Sequence, residues 1–230
     1  MDLKIKKYGN FWVPYVDAKG RRNHTKMQNL FGDKDGSIDP IVKAMLDLLA
    51  TRSEAYFSDQ IAIDAGANVG SYTRVLLEYY SRVIAIEPMS DTFRCLERNV
   101  YDWGKLDRVS LYNSAVSDSW DYVKIKRGWG RLSMTARVTS GGDISAIPID
   151  ELKLQNVGFI KLDVEGFELK ALRGATSTIK ESKPVVFMEV KPKEEELSAT
   201  PYAAHEYLLS LGYDVEQKLG INWVYYPTSE

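Results

Sequence analysis

Two groups of carboxylates in this 230-residue chain stand where chemistry could be done. The first lies in IAIDAGANVGSYT, residues 61–73, where Asp64 ends a short apolar run and Gly66 and Gly70 punctuate the turn that follows. The glycines are spaced GxxxG rather than GxGxxG, and Asn68 stands where a dinucleotide fingerprint has its middle glycine. A pyrophosphate needs closely approaching backbone N–H groups at a helix start and no anion nearby. Asp64 would repel it but suits an ammonium, and Asn68 can offer a side-chain amide. Glu87 ends the next apolar run, 21 positions after Gly66, where a carboxylate can accept both hydroxyls of an adenosine ribose. The sign of the charge favours S-adenosylmethionine, a cation without phosphate, over a nicotinamide dinucleotide. Around this core, Ala67, Tyr72 and Thr73 belong to the same turn, and Pro88 and Met89 could pack on an adenine. Ser114, Ala115 and Val116, in NSAVSD, would reach the adenine edge. The competing reading is an ordinary tight strand–helix turn with a structural Asp64.

The second group is Asp163 and Glu165 in FIKLDVEG, with Glu189 at the end of PVVFMEV. A sulfonium releases its methyl readily, whereas an alcohol acceptor attacks only as its proton is removed, so a general base is needed. Asp163 and Glu165 share a face if strand geometry persists and diverge if a turn has begun. Glu165 could instead cap a helix beginning near Gly166, and Glu168 reads as a first-turn partner of the helix dipole. Glu189 could orient a hydroxyl or pair with Lys191. His24, in RRNHTKM, is either a base reaching a bound substrate or a surface residue; His205 reads as structural or solvated. Asp163, Glu165 and Glu189 are hard ligands that Mg²⁺ would accept, but no His/Cys cluster suggests zinc or iron, and a metal-independent reaction is expected.

The net charge of -2 is unevenly spread. Residues 1–36 hold eight Lys/Arg against four Asp, and residues 119–142 hold five against Asp121 alone, so each is +4 and the remainder is -10. These segments are either solvated surface or a rim that attracts an anionic substrate. Trp120 and Trp129, interleaved with Lys124, Lys126, Arg127 and Arg131, could stack on a sugar or base while the cations meet phosphate. His24, Arg127, Trp129 and Arg131 are the candidate substrate-binding residues. A nucleic-acid acceptor is the alternative; against it, no N-P-P-Y-type motif occurs and the chain is not basic overall.

These residues need a scaffold, and the pattern supplies one. From residue 61, short continuous apolar strands alternate with helices: IAIDA, SYTRVLLEYY, RVIAIE, DTFRCLERNV, RVSLYN. Such runs suit a parallel sheet covered on both faces. Glycines 128, 130, 141 and 142 break the rhythm between about 119 and 149, which reads as a basic hairpin insertion. FIKLDV, a helix over 166–182 broken near Gly174, PVVFMEV, a helix stopped at Gly212 and the hairpin YDVEQKL–G–INWVYYP follow. The ending predicts a class I methyltransferase fold: a doubly wound seven-stranded α/β sheet, mostly parallel, closed by an antiparallel hairpin strand. Before it, residues 1–36 predict a small β-rich extension with a turn at Tyr8-Gly9-Asn10, a candidate substrate cap. SIDPIVKAMLDLLATR predicts a helix with Asp39 as cap, Pro40 at its first position and Ile41, Met45, Leu48 and Leu49 on one face.

Composition agrees with one globular domain over residues 37–230: 44% apolar and 27% charged residues exclude disordered and fibrous classes. No apolar run approaches a membrane span and MDLKIKKYGN lacks the apolar core of a signal peptide, so a soluble, cytoplasmic protein is expected. The single cysteine, Cys95, sits beside Phe93 and Leu96 and reads as core.

The segment FIKLDVEGFELKALRGA, residues 159–175, resembles the FkbM-type methyltransferases, whose signature is a strand ending in K-[IL]-D-[VI]-E-G before an amphipathic helix and a second glycine. DAGANVGSYT is similar to that family's DVGANIG-type loop, with Ala65 where valine is common, and NSAVSD, IPIDEL and PVVFMEV fall in its order. The resemblance covers about residues 60–226. It implies S-adenosylmethionine-dependent methylation of a hydroxyl on a sugar or natural product. Asp64, Gly66, Asn68 and Gly70 would then surround the methionine end, Glu87 would hold the ribose, and Asp163 would sit near the transferable methyl.

Overall fold

Burial on opposite faces of short apolar strands organises the chain, as seen in a computed structural model that describes residues 5–8, 10–14, 42, 44–45, 47, 59–126, 137–190 and 202–228. The elements are β1 (Ile5–Tyr8), β2 (Phe11–Pro14), β3 (Ile61–Ala65), α1 (Ser71–Leu76), β4 (Arg82–Ile86), α2 (Ser90–Asp102), β5 (Val109–Tyr112) and β6 (Ala115–Val116). Next come β7 (Asp121–Lys126), β8 (Arg137–Ser140), β9 (Ile144–Ile147), a 3₁₀ turn (Ile149–Leu152), β10 (Val157–Leu162), α3 (Glu168–Arg173) and α4 (Thr176–Ser182). The described chain closes with β11 (Val185–Glu189), α5 (Ala203–Ser210), β12 (Tyr213–Leu219) and β13 (Asn222–Pro227).

Seven strands form the main sheet in the order β12-β13-β11-β10-β3-β4-β5. β3, β4, β5, β10 and β11 pair in parallel, and β13 runs antiparallel to both β11 and β12. This is the expected seven-stranded, mostly parallel class I methyltransferase arrangement with its closing antiparallel hairpin. One face of the sheet buries Ile63, Ile84, Ile160 and Val186 with α3, α4 and α5; the other buries Ala62, Val83, Phe159 and Phe187 with α1 and α2. The order reverses between β3 and β10, which opens a crevice at their carboxyl ends.

Local departures from expectation have visible causes. The helix expected over 71–80 ends at Leu76, where Arg108 donates hydrogen bonds to the carbonyls of Leu77 and Tyr80 and terminates the run. The helix expected over 166–182 is two helices, split at Gly174. A Cβ there would lie 1.9 Å from the carbonyl oxygen of Ser117, so the helix breaks where another backbone crosses it. Asp150 then caps α4 by accepting the N–H groups of Ser177 and Thr178. Gly212 ends the α5 segment with φ +80°.

The expected insertion is a second, four-stranded sheet in the order β6-β9-β7-β8, and it begins earlier than expected, at Ala115. At the other end, β1 and β2 form the anticipated hairpin around Gly9-Asn10. It docks on α2 through Asn99, whose amide donates to the carbonyls of Trp12 and Val69. Phe11 and Val13 are buried there with Val69 and Cys95, so Cys95 is core as read from sequence. Of the helix expected near residue 40, Val42, Ala44, Met45 and Asp47 are described and helical, with Met45 fully buried; Ile41, Leu48 and Leu49 lie outside the described residues.

Candidate active site

The turn after β3 is built from left-handed residues: φ is +76° at Gly66, +53° at Asn68 and +98° at Gly70. Gly66 is obligatory twice over, since a Cβ would also fall 1.9 Å from the carbonyl oxygen of Asp163. The ends of β3 and β10 therefore meet backbone to backbone. At Gly70 the neighbours are side chains, with Leu96 and Trp103 within 2.9 Å of an added Cβ. Four of the turn's N–H groups are engaged internally. Those of Gly66 and Ala67 donate to the carbonyl of Ile86, that of Gly70 to Ala67, and that of Asn68 to the Glu87 carboxylate.

Asp64 does not open onto the crevice. It is fully buried, with one oxygen accepting the Thr73 hydroxyl at 2.6 Å and the other 3.2 Å from the ammonium of Lys161. The ammonium that Asp64 meets is thus the chain's own. Lys161 stands opposite Asp64 in the β3–β10 register and is itself buried. Its Nζ donates to the Gly66 carbonyl at 2.8 Å and lies 3.9 Å from Asp163. Tyr72 covers it, the ring centroid 5.0 Å from Nζ. Burial lowers the Lys161 pKa, but the charges of Asp64 and Asp163 outweigh it and the net shift is upward.

Glu87, which directly follows β4, is buried and accepts the N–H groups of Asn68 and Met89, each at 2.9 Å. Burial pushes its pKa up to about 7, against the lowering effect of those two bonds. Pro88 and Met89 follow it, both partly buried. Ser114 donates to the carbonyl of Ser145, while Ala115 and Val116 are buried in β6 and paired with β9.

At the end of β10 the turn has begun by Glu165, with φ +54°, and Gly166 follows at +98°. Asp163 and Glu165 therefore diverge. The Asp163 side chain is 42% exposed. Glu168 holds the turn that precedes α3: its buried carboxylate accepts the N–H groups of Val164 and Gly166. Burial raises Glu168 to about 7, and the charges of Asp163 and Glu189 add to the rise. Glu189, at the end of β11, is partly buried on the same rim. His205 is in contact with Tyr225 and Trp223 of β13, and burial lowers its pKa.

Lys161 and Glu168 were missed as site residues by sequence reasoning. The available signals for Lys161 were one charge inside the otherwise apolar FIKL and its place as the first residue of the K-[IL]-D-[VI]-E-G signature. His24, Arg127, Trp129, Arg131 and Lys191 lie outside the described residues, as does the Lys126 side chain. Trp120 and Tyr122, on the second sheet, are 67% and 63% exposed. Among the described residues, no three His, Cys, Asp or Glu side chains converge as metal ligands, and no helix is long and apolar enough to cross a membrane.

Residues 64–215, more than half of the chain, match the model of the methyltransferase FkbM domain. The chain belongs to the FkbM methyltransferase family. The match begins at Asp64 itself and ends within β12, so it spans both strand-end turns and the second sheet. No curated protein sequence matches the chain. Among solved structures, the fold is similar to methyltransferase FkbM from Methylobacillus flagellatus KT, with a TM-score of 0.53 and 21% identity over 74% of this chain. The alignment takes in 43% of that protein's length. It is also similar to precorrin 8w decarboxylase from Methanobacterium thermoautotrophicum (TM-score 0.52, 18% identity, 84% of this chain and 92% of that one). A third is a methyltransferase from Geobacter sulfurreducens (TM-score 0.51, 15% identity, 94% of this chain and 93% of that one). At these identities the likeness is one of fold. The FkbM domain here thus carries the fold's strand-end crevice with a buried Lys161 in its floor.

Proposed function

We propose that the protein is an S-adenosylmethionine-dependent methyltransferase that methylates a hydroxyl of a sugar, glycan or other small, anionic metabolite. The observation that carries the cofactor is the hydrogen bonding of the turn after β3. The N–H groups of Gly66, Ala67, Asn68 and Gly70 are all engaged within the protein, which removes four donors that a pyrophosphate cradle would use. Asp64, buried and ion-paired with Lys161, does not present its charge to a ligand, so the engaged donors and not repulsion by Asp64 disfavour a pyrophosphate. Glu87 fits an adenosine ribose: a carboxylate has about four lone-pair directions, and Asn68 and Met89 occupy two of them.

When bound, S-adenosylmethionine supplies a methyl made electrophilic by its sulfonium. Glu87 accepts hydroxyl donors at the end of β4, and the turn from Gly66 to Gly70 shapes the crevice floor. Asp163, the open carboxylate at the exit of β10, takes the proton of the acceptor hydroxyl as it attacks. Glu189, on the adjoining strand, orients that hydroxyl. Trp120 and Tyr122, beside Lys124, favour an acceptor with flat or apolar faces and negative charge, and would equally stack nucleic-acid bases.

Calorimetry with S-adenosylhomocysteine and NAD(P) tests the cofactor: binding of the former alone is expected, and the reverse would overturn the reading. Labelled S-adenosylmethionine incubated with nucleotide sugars, glycans and RNA tests the acceptor, with label expected in the sugar fraction.

A further inference from the structure

We propose that Lys161 is the positioning residue of the cofactor turn, its ammonium fixing Gly66 and Asp64 against Asp163 in the arrangement that receives S-adenosylmethionine. The inference rests on the methyl-transfer reading above and adds to it a role for the lysine that opens the K-[IL]-D-[VI]-E-G signature.

Lysine is among the residues least often fully buried, and here it interrupts a sheet face otherwise built from Ala62, Phe159, Phe187 and Val224. A buried ion pair is poorly explained by stability, because apolar replacements of similar volume are often as stable or more so. What a buried cation does supply is geometry. The ammonium of Lys161 donates to the Gly66 carbonyl at 2.8 Å and pairs by charge with Asp64 at 3.2 Å and Asp163 at 3.9 Å. Tyr72 closes the remaining side. Gly66 belongs to the turn, Asp64 to the strand before it and Asp163 to the neighbouring strand's exit, so one ammonium ties together three backbone segments that border the crevice. Asp163 is the only one of the three partners with a substantially exposed side chain. The tie therefore runs from the interior to the group that faces substrate. The upward shift of the Lys161 pKa keeps the ammonium charged throughout the neutral range.

Lys161→Met alone would leave Asp64 buried without its cation, and a loss of folding could hide a loss of positioning. The informative comparison is Asp64→Asn against Asp64→Asn/Lys161→Met, each followed by thermal melting and by calorimetric titration with S-adenosylhomocysteine. In the first variant Lys161 keeps Gly66 and Asp163; in the second, a neutral side chain of similar length loses both without stranding a charge. The expected result is at least about tenfold weaker S-adenosylhomocysteine binding in the double variant at a similar melting temperature, which a purely structural lysine would not produce. Equal affinity overturns the inference. So does a double variant that fails to fold while Asp64→Asn folds, since Lys161 would then be a support of the fold. Wild-type protein that does not bind S-adenosylhomocysteine would instead overturn the methyl-transfer reading on which this rests.

Discussion

Two strand-to-helix turns stand side by side at the crevice, and they are held by the same device drawn from different distances. The turn after β3 has left-handed Asn68 between two left-handed glycines; the turn after β10 has left-handed Glu165 and Gly166. Each is held by a buried carboxylate pushed up to about 7: Glu87 accepts the N–H of Asn68, and Glu168 accepts those of Val164 and Gly166. Glu168 serves its own turn from two residues away, whereas Glu87 reaches Asn68 across 19 positions. The β10 turn is thus a local motif, complete once its own few residues fold. The β3 turn exists only when β4 is in register beside β3, so its geometry reports on the assembled sheet. Lys161 joins the two.

The sharpest way to break the comparison is Gly66→Ala. A methyl 1.9 Å from the Asp163 carbonyl, at φ +76°, should destabilise the protein by about 3–5 kcal/mol in chemical denaturation and abolish S-adenosylhomocysteine binding. Gly70→Ala, which meets only side chains, should cost about 1–3 kcal/mol.

Next are the two acids. Glu87→Gln and Glu168→Gln each replace an acceptor of two backbone N–H groups with one that can serve only one, so each should cost about 1–3 kcal/mol in denaturant melts. Only Glu87→Gln should also weaken S-adenosylhomocysteine binding, by about tenfold or more. Equal effects on binding would erase the distinction between the turns.

The pH dependence separates them further. Both groups hold a proton more tightly in the folded protein than at the ordinary value of 4.5. Their contribution to stability is therefore full below about pH 4.5 and falls as pH rises to about 7, by on the order of 3 kcal/mol per group, levelling above. The difference between wild type and Glu168→Gln in melts across this range isolates one of them. Ribose hydroxyls favour the ionised Glu87, so S-adenosylhomocysteine affinity should rise with pH up to about 7, with proton release seen as buffer-dependent calorimetric heats.

The smallest effect on stability is expected at Trp120, which is 67% exposed: Trp120→Ala should shift unfolding by less than about 0.5 kcal/mol. Acceptor turnover should nevertheless fall, as measured with the labelled product.

Much of the fold was legible in the residues. Continuous apolar runs gave parallel strands, Gly174 and Gly212 marked real breaks, and the closing hairpin around Gly220 fixed the sheet's antiparallel end. Glu87 at its strand end was equally readable, because an edge carboxylate depends on where a run of apolar residues stops. Less legible was which carboxylates face inward. Asp64 and Asp163 look alike in sequence, each ending a strand, yet one is fully buried and the other 42% exposed on its side chain. Glu168 looked like a first-turn partner of the helix dipole, yet its carboxylate turns back to accept the N–H groups of Val164 and Gly166.

The sequence by itself determined the order of strands and helices, the glycine-bearing turn, the signature at the end of β10 and through them the family. These are local matters of periodicity, backbone freedom and residue type. The tertiary structure alone decided that Asp64 would answer to Lys161 rather than to a ligand, that Gly66 would touch Asp163, and that Asn99 would bind the N-terminal hairpin to the turn after β3. Each of these joins residues brought together by sheet register or helix docking, and the energy of a buried charge depends on that neighbourhood, which no single segment contains.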